Sequence, residues 1–311
     1  MRPTTISIVV PVYNSQGSLK TLQERLCKVL ENHSENFEII FVNDGSHDES
    51  WHIISQLADS YPRVKGVNLM RNYGQHNALL AGIRMAQYEL IVTIDDDLQH
   101  PPEEIPKLLE KLEEGFDVVY GSAEEGKHGF SRNIASQITK LALRSVMNVG
   151  IAPKVSAFRI FRTSLRNAFE NYHAPHPSID VLLSWATTHF SFVYVKHNER
   201  SVGVSNYNFR KLFSHAMNMM TGFSTMPLRV ASLLGFMFTL FGIGVFLFVF
   251  IRYLRQGTPV QGFPFLASVI SIFSGVQLFV FGIFGEYLAR MYSRIMDRPD
   301  YIVKEIKKQP E

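Results

Sequence analysis

The chain has 311 residues, with 31 Lys and Arg against 28 Asp and Glu and a single cysteine, Cys27. This length holds one full domain and more. A lone cysteine excludes an internal disulfide framework and fits a reducing compartment. The charge is uneven: residues 1–209 carry 20 basic and 23 acidic side chains, whereas residues 210–311 carry 11 and 5. No zinc-type spacing, internal repeat or low-complexity tract occurs, and no nucleic-acid partner is expected.

At the N-terminus, Ile6–Val10 runs straight into Pro11 and reads as a strand end, not the apolar core of a cleaved signal peptide. From there to about residue 120, short apolar strands alternate with helical stretches. The expected strands are Ile6–Val12, Phe37–Val42, Val64–Leu69, Glu89–Ile94 and Asp117–Tyr120. Between them Gly17–Leu30, Asp48–Ser60, His76–Met85 and Glu103–Leu112 read as helices. Such alternation predicts an α/β fold, a mostly parallel sheet with helices on both faces and ligands at the carboxyl ends of the strands.

Three of those ends are polar: Pro11-Val12-Tyr13-Asn14, Asn43-Asp44-Gly45-Ser46 and Asp95-Asp96-Asp97-Leu98-Gln99. The aspartate run is the most specific. Alternation along an extended chain would put Asp95 and Asp97 on one side and Asp96 on the other. Two same-side carboxylates and an amide oxygen form a hard, all-oxygen set suited to Mg²⁺ or Mn²⁺ shared with a diphosphate. No GxGxxG or GxxxxGK[ST] run is present, against a dinucleotide fold or a P-loop. Asp44 has two readings of equal weight, an acceptor for a base or ribose and a cap for the helix after it.

Two uncharged apolar runs, Val230–Ile251 and Phe263–Phe284, are 22 residues each, long enough to cross a bilayer. Before them, Phe209, Leu212, Phe213, Ala216, Met220 and Phe223 recur at steps of three and four beside Arg210 and Lys211, the pattern of an interfacial helix. Basic residues crowd both long flanks, which predicts a cytoplasmic catalytic domain and cytoplasmic termini. Ser271-x-x-x-Gly275 and Gly242-x-Gly244 suit close helix approach and a homo-oligomer. The expected divisions are a catalytic domain over 1–208, an amphipathic helix over 209–227, a transmembrane hairpin over 228–290 and a basic tail over 291–311.

With these residues assembled, the chain resembles the family 2 glycosyltransferases of the GT-A fold. More narrowly it resembles the polyisoprenyl-phosphate glycosyltransferases, the group that includes dolichol-phosphate mannose synthase and bacterial undecaprenyl-phosphate glucosyl and aminoarabinosyl transferases. The stretches that carry the resemblance are Val9–Asn14, Val42–Ser46, Arg71–His76, Asp95–Pro102, Ser156–Arg159, the membrane pair and Arg298–Val303. It implies that Pro11, Tyr13, Asn14, Asp44, Asp95, Asp96 and Ser205 hold a nucleotide-sugar donor. It implies Asp95, Asp97 and Gln99 as the metal set, and Arg132, Ser136 and Lys127 on the phosphate of a polyprenyl acceptor. Arg200, with Gly203, Ser205 and Tyr207, falls in the segment that closes over the donor, so Asp95, Asp97, Arg132 and Arg200 are the expected catalytic group.

The chain departs from the group at Ala123 and Gly126, where relatives often carry Arg, and at Val204 and Asn206, where they often carry Glu and Lys. It also has Ala157 where some bacterial relatives have Asp. The implied reaction is inverting transfer from a UDP-sugar, UDP-glucose first and UDP-aminoarabinose or GDP-mannose behind, to undecaprenyl phosphate at a bacterial inner membrane. Two rivals remain. A processive polysaccharide synthase ranks low, because neither Trp51 nor Trp185 follows an arginine. A silent membrane-tethered sugar-nucleotide sensor is the other.

Overall fold

The computed structural model describes residues 4–123, 154–173, 177–198, 225–256, 262–296 and 299–309. These fall into two compact units, one drawn from Met1–Ala216 with Asp297–Glu311 and the other from Met217–Met296.

The first unit is built on an eight-stranded sheet. Its strands are β1 (Thr5–Val12), β2 (Asn36–Asn43), β3 (Val64–Leu69), β4 (Leu90–Thr93), β5 (Val118–Ala123), β6 (Arg159–Arg162), β7 (Phe190–Val195) and β8 (Val303–Lys307). Their spatial order is β7-β5-β6-β4-β1-β2-β3-β8. The pairs β4–β1–β2–β3 run parallel, as do β5 and β7, while β6 and β8 pair antiparallel with their neighbours. A mostly parallel sheet thus confirms the expected class.

Both faces of the sheet are covered because both sets of alternating side chains are apolar. On one face Ile6, Ile8 and Val10 pack with Leu19, Leu22 and Leu26 of α1 (Leu19–His33), Ile54 of α2 (Ser50–Ser60) and Leu108 of α4 (Ile105–Glu113). On the other face Val9, Ile40 and Val42 pack with Leu79, Leu80 and Ile83 of α3 (Gln75–Met85) and Leu182 of α5 (Ile179–Ala186).

Three strands, β6, β7 and β8, lie beyond the stretch in which strands were expected from sequence, and two of them, β6 and β8, are masked by charge. β6 carries Arg159 and Arg162 in four residues, yet it is a fully interior strand between β4 and β5. The stretch read as a basic tail contributes β8, with Lys304, Glu305 and Lys307 on the sheet's outer edge, where charged side chains remain in water.

The second unit contains α6 (Met226–Gln256) and α7 (Phe263–Ile295). Both are long and apolar enough to cross a membrane, over Met226–Arg252 and Ile272–Tyr292, and none of either apolar window is buried. Phe238 meets Phe273 edge-on, and Gly242 brings its backbone to Phe273 at the helix contact. The expected interfacial helix over 209–227 lies almost wholly outside the described residues.

Candidate active site

The carboxyl ends of β1, β2 and β4 open into one cavity of about 640 Å³. Pro11, Tyr13, Asn14, Asp44, Asp95, Asp96 and Asp97 all line it, so the structure brings these sequence-predicted residues together. The size suits a small-molecule ligand.

Asp44 does not cap the helix after it, the second of its two sequence readings. Its carboxylate accepts from the backbone N–H of Tyr73 at 2.7 Å and of Gly74 at 2.8 Å, so it holds the entry to α3 and not the start of α2. Burial pushes its pKa up, and the two amides oppose that shift. Each oxygen keeps acceptor capacity toward the cavity. Gly45 follows at φ +66°, and a Cβ there would lie 2.5 Å from the Arg71 carbonyl carbon and 2.6 Å from the Asn72 nitrogen. Gly45→Ala is therefore expected to destabilise the protein by about 1–3 kcal/mol, read as a lowered melting temperature.

The loop after β1 is held from several sides. Asn14 takes φ 54°, a conformation its short polar side chain tolerates, and its Oδ1 accepts from the His47 N–H at 2.8 Å. Its own N–H donates to Ser46 Oγ, and the Gln16 N–H donates to Asp48 Oδ2. Tyr13 is left 45% exposed with its ring edge-on to His47, so an aromatic face stands at the mouth of the cavity.

The aspartate run differs from its expected alternation. β4 ends at Thr93, and the chain then turns, with Leu98 at φ 61°. Period-two geometry no longer applies, and Asp96 lines the same cavity as Asp95 and Asp97. Asp96 Oδ2 accepts from the Tyr13 N–H at 3.2 Å. Asp95 Oδ1 accepts from Gln75 Nε2 at 2.7 Å, and Asp97 Oδ1 accepts from the Gln99 N–H at 3.1 Å. Burial, then the charges of Asp97 and Asp96, push Asp95 up to about 7. Asp96 is pushed up to about 6, chiefly by burial.

Three carboxylates lining one cavity, two of them raised by burial and by a neighbouring aspartate's charge, fit a hard divalent cation. Among the described residues no group of three His, Cys, Asp or Glu side chains forms a preformed metal cage. An ion shared with a diphosphate needs only one or two protein carboxylates, so the two findings agree. Gln99 is not among the cavity-lining residues: its main chain holds Asp97 and accepts from the Asn198 N–H at 2.9 Å.

Sequence reasoning missed Asp48, Asn72 and Gln75 in the cavity wall, and Arg159, whose charge opposes the upward shift of Asp95. Arg159 is 1% exposed, pairs with Asp180, and donates from Nε to Thr93 Oγ1 at 3.0 Å. Only its place in the Ser156–Arg159 stretch drew notice in the sequence. Lys127, Arg132, Ser136, Arg200 and Ser205 lie outside the described residues.

A family model described as glycosyl transferase family 2 matches residues 7–178. The chain belongs to glycosyl transferase family 2. It is 35% identical over 304 residues to the undecaprenyl-phosphate 4-deoxy-4-formamido-L-arabinose transferase of Shewanella sediminis (strain HAW-EB3), covering 97% of this chain and 92% of that protein. An uncharacterized glycosyltransferase of Bacillus subtilis (strain 168) is also 35% identical over 304 residues, covering 96% and 93%. Among solved structures, glucosyl-3-phosphoglycerate synthase from Mycobacterium tuberculosis, in complex with Mn²⁺, UDP and phosphoglyceric acid, aligns over 70% of this chain and 76% of that one. Its TM-score is 0.51 at 17% identity, a likeness of fold. The cavity thus belongs to a transferase, and its carboxylates lie at the strand ends where an open α/β sheet binds ligands.

Proposed function

We propose that this protein transfers a sugar from a nucleotide-sugar to a polyprenyl phosphate at a bacterial inner membrane. The observation that carries the reading is the single cavity in which Tyr13, Asp44 and the three aspartates meet. The membrane-length helices and the relatives named for undecaprenyl phosphate support the acceptor class. The same relatives favour a 4-deoxy-4-formamido-L-arabinose donor over the UDP-glucose that the sequence puts first. The basic flanks support a cytoplasmic catalytic unit and termini.

In this reading Tyr13 offers its ring to the base, Asp44 offers carboxylate oxygens to the nucleoside, and Asp95 and Asp97 face the diphosphate. A Mg²⁺ or Mn²⁺ ion held by Asp95 and Asp97, with Gln99 as the third candidate, would supply Lewis-acid stabilisation of the departing diphosphate. The acceptor phosphate is already anionic, so it needs no strong general base. Ala157 in place of an aspartate is compatible with that chemistry. Arg132, with Ser136 and Lys127, is assigned to the acceptor phosphate, where a guanidinium binds in bidentate fashion, and Arg200 and Ser205 to the donor.

Single displacement by the phosphate inverts the anomeric centre. Purified protein with Mn²⁺, undecaprenyl phosphate and a panel of UDP- and GDP-sugars is expected to give one lipid-linked sugar, inverted by NMR. A retained configuration would contradict the displacement, and UDP binding without product from any donor would favour the sensor.

A further inference from the structure

We infer that the C-terminal segment Asp300–Lys307 is a positioning element of the donor site, which it holds through residues 70–84. The inference rests on the cavity being the nucleotide-sugar site.

The stretch from Met70 to Arg84 carries three contacts that shape the cavity. Tyr73 and Gly74 donate their backbone N–H groups to Asp44, and Gln75 donates its side-chain amide to Asp95. Both ends of this stretch are gripped by the tail. At the first end, β8 pairs with the outer edge of β3 with Leu69 opposite Val303, and the ladder shifts register between Asn68 and Leu69. The Met70 N–H then donates to the Ile302 carbonyl at 2.9 Å, three residues before Tyr73.

At the second end, Arg84 occupies the last turn of α3, the helix that begins at Gln75. Its Nη1 donates to Asp300 Oδ2 at 3.3 Å, and His173 Nδ1 lies 3.1 Å from the same oxygen. The Asp300 residue is only 5% exposed, so this is an interior anchor and not a screened surface pair. Arg84 Nη2 also donates to the Tyr172 carbonyl at 2.8 Å. Tyr301 and Val303 pack on the same apolar cluster as Tyr73.

β3 has only β2 and β8 as neighbours, so loss of the tail turns β3 into an open edge. The amide of Met70 would then lose its protein acceptor, and Arg84 its buried carboxylate. Loop and helix would keep their fold but lose their fixed distance to Asp44 and Asp95. Misplacement of positioning groups acts on the ligand they position. The residues assigned to the acceptor phosphate belong to a different part of the sequence, 127–136, so the effect should separate donor from acceptor.

The test uses full-length protein in detergent with Asp300→Ala. Expected results are a roughly 10-fold weaker affinity for UDP with Mn²⁺ by calorimetry and a donor KM raised by a similar factor, with an unchanged acceptor KM. Hydrogen exchange should accelerate in residues 70–75 and stay slow in β1. Asp300→Asn, which keeps an acceptor oxygen for Arg84, should restore much of the affinity and serves if the alanine variant fails to fold. Wild-type UDP affinity with residues 70–75 still protected would overturn the inference. So would equal rises in both KM values with faster exchange throughout β1 and β2, the mark of general destabilisation. If the wild type binds no UDP, the donor-site reading fails, and exchange in residues 70–75 still decides whether the tail holds them.

Discussion

Asp97→Ala is expected to leave the fold intact and to lower sugar transfer by about 10²–10³-fold, the scale seen when a key stabiliser of developing charge is removed. The two halves of that expectation have separate grounds. Asp97 lies on the turn after β4, is half-buried, and belongs to neither apolar cluster, so truncating it removes no core packing. Its melting temperature should therefore stay within about 2 °C of wild type, as for substitutions away from the core. Its carboxylate nevertheless faces the cavity beside Asp95 and Asp96, where the charges of Asp97 and Asp96 help to hold Asp95 up at about 7. A set of anions this close is costly unless cations or hydrogen-bond donors compensate it. The discriminating readout is UDP affinity with and without Mn²⁺, which should differ strongly in wild type and little in Asp97→Ala. Asp96→Ala should behave differently, weakening UDP binding while keeping its Mn²⁺ dependence, because Asp96 accepts from the Tyr13 amide. Undiminished Mn²⁺-dependent turnover in Asp97→Ala would remove the carboxylate run from the centre of the mechanism.

The parts of the fold that were legible in the sequence share one property: their apolar pattern is dictated locally. β1 covers the expected Ile6–Val12, because a strand buried on both faces reads as a near-continuous apolar run, and β3 spans the expected Val64–Leu69 on its buried Val64, Val67 and Leu69. α1 and α3 fall within a few residues of expectation for the same reason at helical spacing. What stayed hidden depends on contacts distant in sequence. β6 is an interior strand only because Asp180, 21 residues on, neutralises Arg159. β8 is a strand only because β3, more than 200 residues earlier, presents an edge. The same division runs through the site. The three polar strand ends were visible as composition, and their convergence followed from the parallel topology. The partners of Asp44 lie 29 and 30 residues away, and the turn that brings Asp96 beside its neighbours depends on where β4 stops pairing. Local pattern thus located the site, and tertiary pairing gave its side chains their orientation.

Arg159→Met is the second large effect expected, and it should act first on stability. Arg159 is 1% exposed, and its guanidinium pairs with Asp180 while its Nε donates to Thr93 Oγ1. Asp180 Oδ1 also accepts from the buried Tyr120 hydroxyl at 3.0 Å, and the Thr93 hydroxyl donates to the Ala157 carbonyl at 2.6 Å. Removing the cation leaves Asp180 as an uncompensated buried charge, a loss of about 3–5 kcal/mol. For a domain of this size that corresponds to a melting temperature lowered by roughly 10 °C. The double substitution Arg159→Met with Asp180→Leu should recover most of that loss, because a buried ion pair and an apolar pair of similar volume are often nearly equivalent. Activity should not recover with it. Thr93 is the last residue of β4, two before Asp95, and Arg159 is also the positive charge that opposes the upward push on Asp95. With the fold restored and that charge absent, the upward push on Asp95 is no longer opposed by Arg159, so turnover in the double variant should stay about 10-fold below wild type. Recovery of both stability and turnover would reduce Arg159 to a packing element. Recovery of stability alone would place it among the residues that prepare the carboxylate run for its ligand.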